Sequence, residues 1–211
     1  MSSIVTDSVQ LTGAVQHPWD QATLPPSRAW LSTNGFSKDG LYFNQILDSP
    51  RILISDVASA GDPTLLTQHK IGAILSLVAQ PFERFALHQN PANTLESYLV
   101  VDSNCAAYKN GCLDRYYFKL SDDGTNTPQQ LIAAFELLQE ICRTYKDKAI
   151  LVHCQAGLSR SVSLVAALIA KSEKCSFQEA ALMVAEHRFI GIHEGLAITL
   201  CKALEIKLDR I

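Results

Sequence analysis

The sequence lacks the features that mark metal-binding, nucleic-acid-binding and membrane-spanning proteins. No Cys-x-x-Cys pair and no His-Glu-x-x-His segment occurs in its 211 residues, which argues against a zinc site, and we expect no bound metal. The formal net charge of −3 provides no general basic field, so we expect no nucleic-acid partner. The longest apolar-rich stretch, residues 162–170, is far shorter than a membrane span, and we expect no membrane insertion.

The N-terminal segment also lacks the pattern of a secretory signal peptide. Residues 1–10 include an aspartate and have no basic cluster ahead of an apolar run. We therefore expect a soluble protein of the cytoplasm, where disulfides are rare, and we expect five of the six cysteines to be small buried hydrophobic residues. The composition, 47% hydrophobic and 18% charged, is that of a globular protein with a sizeable core.

Two parts of the chain differ in composition, and we expect a boundary between them. Residues 1–50 are rich in Ser, Thr, Pro, Gln and Asn, with turn-forming pairs and scattered apolar residues. We predict that they form an extension packed on the domain; a segment that docks a partner is the alternative. Residues 51–211 form the predicted folded domain.

Strand and helix patterns alternate along this second part. Asp62, Thr127 and Ser176 mark helix starts, because a proline at the first helical position, a Gln or Glu at the third, or both follow each of them. The predicted strands are 51–55, 71–78, 97–101, 115–120 and 149–153, with a candidate hairpin turn at 109–111; the predicted helices are 63–70, 128–146, 159–171, 177–187 and 195–208. This order predicts an α/β fold, a single layered domain whose central, mostly parallel sheet is flanked by helices.

The residues that suggest chemistry lie in one segment, His153 to Ser161, between a predicted buried strand and a predicted helix. Ligand sites of open α/β sheets lie at such strand ends. The five residues between Cys154 and Arg160 suit a loop whose backbone N–H groups surround one tetrahedral anion, beside a helix N-terminus. Gly157 permits a positive φ there, and Arg160 offers two parallel hydrogen bonds to phosphate oxygens. The predicted substrate-binding residues are Gln155, Ala156, Gly157, Leu158, Ser159 and Arg160.

The same loop favours the thiolate form of Cys154, because amide hydrogens, the helix dipole and a guanidinium all stabilise negative charge. A thiolate is a nucleophile for phosphorus, and a hydrogen bond from Ser161 would help the sulfur to leave again. We expect His153 to be a buried orienting residue rather than a base. A buried cysteine beside a surface arginine, without chemistry, is the alternative interpretation.

These residues resemble a known signature. The His-Cys-Gln-Ala-Gly-Leu-Ser-Arg-Ser segment is similar to the signature loop of cysteine-based protein tyrosine phosphatases, and its Ala-Gly-x-Ser-Arg-Ser form resembles the dual-specificity branch. The resemblance covers residues 51–209 and implies a protein tyrosine phosphatase-like catalytic domain within 51–211. It also implies hydrolysis of phosphate monoesters through a cysteinyl-phosphate intermediate, without metal or cofactor.

The resemblance further implies a general acid, an aspartate on the loop ahead of the helix that precedes the signature strand. The matching segment is Phe118 to Asp123, and its register selects Asp122. Asp123 is the neighbour that could take the same role. Such an acid protonates the leaving oxygen and then activates water. Without the signature loop, a plain surface turn would be the preferred interpretation.

Two departures from the family pattern leave parts of the site undefined. Residues 79–115 form a longer insertion than the minimal domain needs, and His193-Glu194 stands where the family often has Pro-Asn. No variable position of the loop is basic, which disfavours a highly charged inositol lipid. We therefore expect a phosphoprotein substrate, phosphotyrosine with or without phosphoserine and phosphothreonine. A non-protein phosphate (a phosphoinositide or nucleotide) and a silent phosphate-binding module are the alternatives.

Overall fold

The computed structural model describes residues 43–78 and 113–209. The predicted strand 97–101, the candidate turn 109–111 and most of the N-terminal extension lie outside these residues. The strands are β1 (Phe43–Asp48), β2 (Arg51–Ser55), β3 (Ile71–Ser76), β4 (Asp114–Tyr117) and β5 (Ala149–His153). The helices are α1 (Pro63–Gln68), α2 (Pro128–Thr144), α3 (Arg160–Glu173), α4 (Phe177–Ala185) and α5 (Glu194–Leu204), with a 3₁₀ turn at Ser59–Gly61.

The five strands form one sheet in the order β1-β2-β5-β3-β4. Four strands, β2, β5, β3 and β4, run parallel to one another. The edge strand β1 pairs antiparallel with β2. This sheet and its helices confirm the predicted α/β fold. β1 falls within the predicted extension, so residues 43–48 pack on the domain as an edge strand. The boundary at residue 50 remains a prediction.

The helices cover the two faces of the sheet unequally. Alternate strand residues point to opposite faces. On one face Ile52, Ile54 and Val152 join a large core with α2 to α5, and on the other Leu53 and Leu151 join a smaller cluster with Leu66 of α1. Within the described ranges, no helix is long and apolar enough to span a bilayer.

The helix starts follow the predicted capping chemistry. Asp62 accepts hydrogen bonds from the backbone N–H groups of Thr64 and Leu65, and Thr127 and Ser176 form capping boxes with Gln130 and Glu179. Because α2 has proline at its first position and a full capping box, its N-terminus is a fixed support for the segment just before it.

The predicted end of the last helix is wrong by four residues. α5 ends at Leu204, and Leu208 lies beyond it. Glu205 adopts the left-handed conformation (φ 53°), and its N–H bonds to the carbonyl of Cys201, which closes the helix. The apolar spacing continues to Leu208 because this residue packs against the same core from outside the helix.

β5 lies in the middle of the sheet and determines where a site can form. All five of its residues are buried, and it pairs with β2 on one side and β3 on the other. Ser55 and Ser76 are register partners of His153, so three strands end together at one edge of the sheet. The chain leaves this edge at Cys154 and enters α3 at Arg160.

Candidate active site

Cys154 is the first residue after β5, and its side chain meets a hydroxyl group. Its exposed fraction is 2%. The Oγ–H of Ser161, in the first turn of α3, donates to Cys154 Sγ at 3.3 Å. The two residues are thus together as the sequence analysis predicted, with the hydroxyl aimed at the sulfur that would carry negative charge. We call residues 154–161 the signature loop below.

Gly157 confirms the predicted backbone conformation of this loop. Its φ is +68°, in the left-handed region that favours glycine. A Cβ placed there would lie 2.6 Å from the carbonyl oxygen of Ser55 and 2.6 Å from Nη2 of Arg188. Position 157 therefore excludes larger residues for two reasons, backbone strain and lack of space.

Three hydrogen bonds fix the signature loop to its surroundings. On the β2 side, the N–H of Val57 donates to the carbonyl of Gln155 at 3.1 Å. On the other side, Gly191 N–H donates to the carbonyl of Leu158 at 2.9 Å. His193 N–H donates to the hydroxyl of Ser159 at 3.0 Å. Gln155 and Ala156 are exposed, whereas Gly157 and Ser159 are buried.

Arg160 connects the signature loop to the predicted acid. Its Nε lies 3.8 Å from Oδ2 of Asp122, and its Nη1 donates to the carbonyl of Leu120 at 3.4 Å. The side chain of Arg160 is 14% exposed and that of Asp122 is 44% exposed. The guanidinium is therefore mostly enclosed, while the carboxylate faces the surface from which a substrate would approach.

The two neighbouring aspartates have different environments. Oδ1 of Asp123 accepts hydrogen bonds from the backbone N–H of Thr125 at 2.8 Å and from its hydroxyl at 2.5 Å. These bonds lower the pKa of Asp123 from its ordinary value, since they favour the carboxylate. Asp123 is committed to closing its own turn, whereas Asp122 faces Arg160. This arrangement favours Asp122 as the acid.

His153 is buried and uncharged at the end of β5. Burial, reinforced by the positive charges of Arg115 and Arg160, lowers its pKa to about 4. Its Nδ1 lies 3.2 Å from the carbonyl oxygen of Cys154, so the neutral ring can donate a hydrogen bond to the loop. This position suits the predicted orienting residue.

Three residues near the site were not assigned a role in the sequence analysis. Arg188 is 1% exposed and donates from Nη1 to the carbonyl of Ile54 at 2.8 Å. His193 joins α5 to the signature loop, and Asn126 closes the loop that carries Asp122. The His-Glu departure from the family pattern had drawn attention to His193. Asn126 gave no local signal, because its partners are backbone groups of the folded loop.

No second cysteine in the described part of the chain has comparable surroundings. Burial raises the pKa of Cys142 and of Cys201 to about 12, and that of Cys175 is also raised. The described residues also contain no group of three or more His, Cys, Asp or Glu side chains that could hold a metal ion.

Comparisons of sequence agree with this geometry. A family model described as the catalytic domain of dual specificity phosphatases matches residues 57–203, more than half of the chain. Mouse dual specificity protein phosphatase 19 is 28% identical over 139 residues, which cover 66% of this chain and 52% of that protein. The chain thus spans about half the length of this curated relative.

Solved structures share the fold. Human DUSP28 has a TM-score of 0.55 at 16% identity, covering 77% of this chain and 93% of that one. A mouse putative dual specificity phosphatase complexed with zinc tungstate has a TM-score of 0.55 at 18% identity, covering 77% of this chain and 86% of that one. At such identities these structures support the fold alone.

Proposed function

Because the chain belongs to the dual specificity phosphatase family, we propose that it hydrolyses phosphate monoesters of phosphoproteins, phosphotyrosine in the first place. The observation that carries the proposal is the side-chain arrangement at the signature loop. The buried Cys154 accepts a hydrogen bond from the hydroxyl of Ser161, and Arg160, which precedes this serine, is mostly enclosed and faces the exposed Asp122. Nucleophile, phosphate clamp and acid are then all supplied by residues that lie close together.

In the first step, Cys154 as thiolate attacks the phosphorus of the bound ester. An S–P bond forms while the P–O bond to the leaving group breaks. Arg160 and the N–H groups of residues 155–159 hold the phosphoryl oxygens, and Asp122 donates its proton to the departing oxygen. The leaving phenol or alcohol departs neutral, and the phosphoryl group remains on Cys154.

In the second step, water attacks the phosphocysteine. Asp122, now ionised, accepts a proton from the water as the new P–O bond forms. The S–P bond breaks and the thiolate returns. The Oγ–H of Ser161, 3.3 Å from the sulfur, stabilises this negative charge as it develops. Inorganic phosphate is released, and Asp122 is protonated again for the next cycle.

The surface beside the signature loop supports a substrate of low charge. A shallow depression there is lined by Asp56, Val57, Ala58, Gln155, Ala156, Leu158 and Phe189. None of these residues is basic, and most are apolar. A lipid headgroup with several phosphates would need cations at this position, whereas a phosphorylated residue with uncharged neighbours would not.

The test is hydrolysis by the purified full chain, with Cys154→Ser as the catalytic control. We expect turnover of a small aryl phosphate that this variant abolishes, and competition by tungstate, which is a tetrahedral oxyanion like phosphate. A panel of phosphotyrosine, phosphoserine and phosphothreonine peptides, a phosphoinositide and a nucleotide then defines the substrate. Preference for the lipid or nucleotide would overturn the phosphoprotein assignment. Binding of tungstate without any turnover would indicate a silent module.

A further inference from the structure

A single amide side chain, that of Asn126, closes the loop that carries Asp122. Asn126 is 6% exposed. Its Oδ1 accepts from the N–H of Ser121 at 2.8 Å, and its Nδ2 donates to the carbonyl of Ser121 at 2.9 Å. The same Nδ2 donates to the carbonyl of Asp123 at 3.3 Å. Three of the four hydrogen bonds that an Asn side chain can make are therefore directed at this loop.

These three bonds fix the backbone on both sides of Asp122. The Ser121 carbonyl belongs to the peptide group directly before Asp122, and the Asp123 carbonyl belongs to the second peptide group after it, so the backbone is anchored on both sides of the acid. Among residues 43–78 and 113–209, the side chain of Asp122 makes only the 3.8 Å approach to Arg160, and it is 44% exposed, which is a weak restraint by comparison. The direction of this carboxylate is thus determined mainly by the backbone that Asn126 holds.

Asn126 is itself attached to rigid structure. It directly precedes Thr127, the capped N-terminus of α2. On the other side of the loop, Leu120 N–H donates to the carbonyl of Leu77, just past the end of β3. At its tip, Gly124 lies against Gly195 of α5, where an added Cβ on Gly195 would come within 2.9 Å of the Gly124 nitrogen. The acid loop is supported at its two ends and its tip, and Asn126 closes its middle.

We propose that Asn126 is a positioning residue that holds Asp122 where it can protonate the leaving oxygen. The inference rests on the proposed function. General acid catalysis requires the proton donor within hydrogen-bonding distance of the departing oxygen, and a displacement of about 1 Å can cost on the order of 100-fold. Loss of Asn126 would therefore slow those substrates that need the proton most.

The experiment measures kcat/KM of Asn126→Ala with two aryl phosphates. This constant reports formation of the phosphocysteine, the step in which Asp122 acts as acid. Phenyl phosphate releases a weakly acidic phenol and depends on protonation, whereas 4-nitrophenyl phosphate releases a more acidic one. We expect a loss of about 10- to 100-fold with phenyl phosphate and less than about threefold with 4-nitrophenyl phosphate.

A matched control is present elsewhere in the chain. Gln178 bonds to both backbone groups of Asp209 in the same two-pronged way, donating from Nε2 to its carbonyl and accepting from its N–H, each at 2.9 Å. Gln178→Ala removes a similar pair of hydrogen bonds on α4, outside the signature loop and the loop that carries Asp122. We expect kcat/KM within about twofold of the unmodified chain for both substrates, whatever the loss of stability.

A double-mutant cycle separates positioning from general damage. In the Asp122→Ala background, Asn126→Ala should change kcat/KM by less than about twofold, because there is no acid left to position. If Asn126→Ala does not fold, Asn126→Ser takes its place in all measurements, and circular dichroism and thermal unfolding identify this case.

The outcomes distinguish the inference from the proposed function. If the folded, unmodified chain hydrolyses neither aryl phosphate, the proposed function fails and the inference fails with it. If the chain is active and Asp122→Ala shows the leaving-group dependence, equal loss on both substrates for Asn126→Ala overturns the inference alone. A further loss in the Asp122→Ala background would do the same. Selective loss with phenyl phosphate, absent in that background, would support it.

Discussion

Cys154 and Cys201 are equally buried, each with an exposed fraction of 2%, and both belong to the large core, yet the groups next to their sulfurs differ. Cys201 lies on α5 within the large core, and burial raises its pKa to about 12. Cys154 lies at the end of β5, where Ser161 donates to its sulfur and Arg160 begins the next helix. Burial raises the pKa of the Cys201 thiol, and we propose that the polar groups at the end of β5 make Cys154 the reactive cysteine.

The core around Cys201 and the surroundings of the signature loop also differ in the side chains that build them. The core around Cys201 is built from aliphatic side chains on α2, α3 and α5. The signature loop is built around buried polar residues, among them His153, Ser161 and Arg188. Removing a polar group from water has a desolvation cost that its hydrogen bonds must offset, and the apolar core around Cys201 has no such requirement.

The largest difference should be in chemical reactivity. At neutral pH we expect iodoacetamide to modify Cys154 at least about a thousand times faster than Cys201 or Cys142, because thiols with a pKa near 12 contain almost no thiolate. Mass spectrometry of peptides after brief labelling measures the rates. Tungstate should protect Cys154 only, and unfolding should remove the difference. Equal labelling of Cys154 and Cys201 in the folded chain would contradict the proposed difference in reactivity between them.

Oxidation should follow the same order. We expect low concentrations of peroxide to abolish the proposed phosphatase activity of the chain, and added thiol to restore it, because a reactive thiolate first forms a sulfenic acid. Activity assays before and after reduction give the reversible fraction. Inactivation that persists in a Cys154-protected sample would point to one of the other cysteines.

The acid loop offers a second paired test. Asp122→Asn should lower kcat/KM for phenyl phosphate by about 100- to 1000-fold and remove the alkaline limb of the pH profile, since that limb reports loss of the acid's proton. Asp123→Asn should stay within about threefold, because an amide oxygen can still accept the bonds from Thr125. If the two variants exchanged these results, the assignment of the acid would be reversed.

The cost of the buried histidine should appear in the pH dependence of stability. The pKa of His153 is about 4 in the folded chain and about 6.5 in an unfolded one, so protons bind first to the unfolded state. The contribution of His153 to the free energy of unfolding is therefore fully present above about pH 6.5. It is lost as the pH falls towards 4, which lowers stability by up to about 3 kcal/mol. Urea unfolding between pH 4 and 7.5 measures it.

The matched variants isolate this contribution from the carboxylates that titrate in the same range. His153→Gln should flatten the pH dependence, whereas His187→Gln, at an exposed position, should leave it as it is. An unchanged slope in His153→Gln would show that the histidine is not held neutral by its surroundings.

The smallest effect should come from the hydroxyl at the sulfur. Ser161→Ala should lower kcat by about tenfold through slower breakdown of the phosphocysteine, since one hydrogen bond to the leaving sulfur is lost. A larger pre-steady-state burst should accompany it. Ser163, equally buried but without a hydrogen bond for its hydroxyl among the described residues, is the control. Loss of activity in Ser163→Ala of the same size would indicate damage to α3 instead.

The sequence was sufficient where the determining interactions are local. The two capping boxes involve residues three apart, and the signature loop joins a strand to a helix within a few residues. Local rules therefore predicted α2, α4, β5 and the approximate position of the site. The antiparallel pairing of β1 with β2 was not predicted, because the composition of the preceding segment resembles that of an irregular arm.

Residues whose partners are distant in the chain could not be predicted. Arg188 contacts the carbonyl of Ile54, 134 positions away, and only the folded sheet brings them together. Asn126 has near partners, but they are backbone groups whose positions depend on the closed loop. The register of the resemblance selected Asp122 over Asp123, but its approach to Arg160 could not be predicted, since Arg160 is separated from both aspartates by α2 and β5.

The crowding behind Gly157 has a consequence for any library of variants made in this loop. A side chain at position 157 would contact both the Ser55 carbonyl and Arg188, whereas Gln155 and Ala156, the two residues before it, are exposed. Selection for altered substrate preference should therefore recover many different residues at 155 and 156 and none but glycine at 157. Substitutions that alter substrate preference should therefore occur at the exposed positions of the loop. A substitution at 157 would require both Arg188 and the backbone at Ser55 to move.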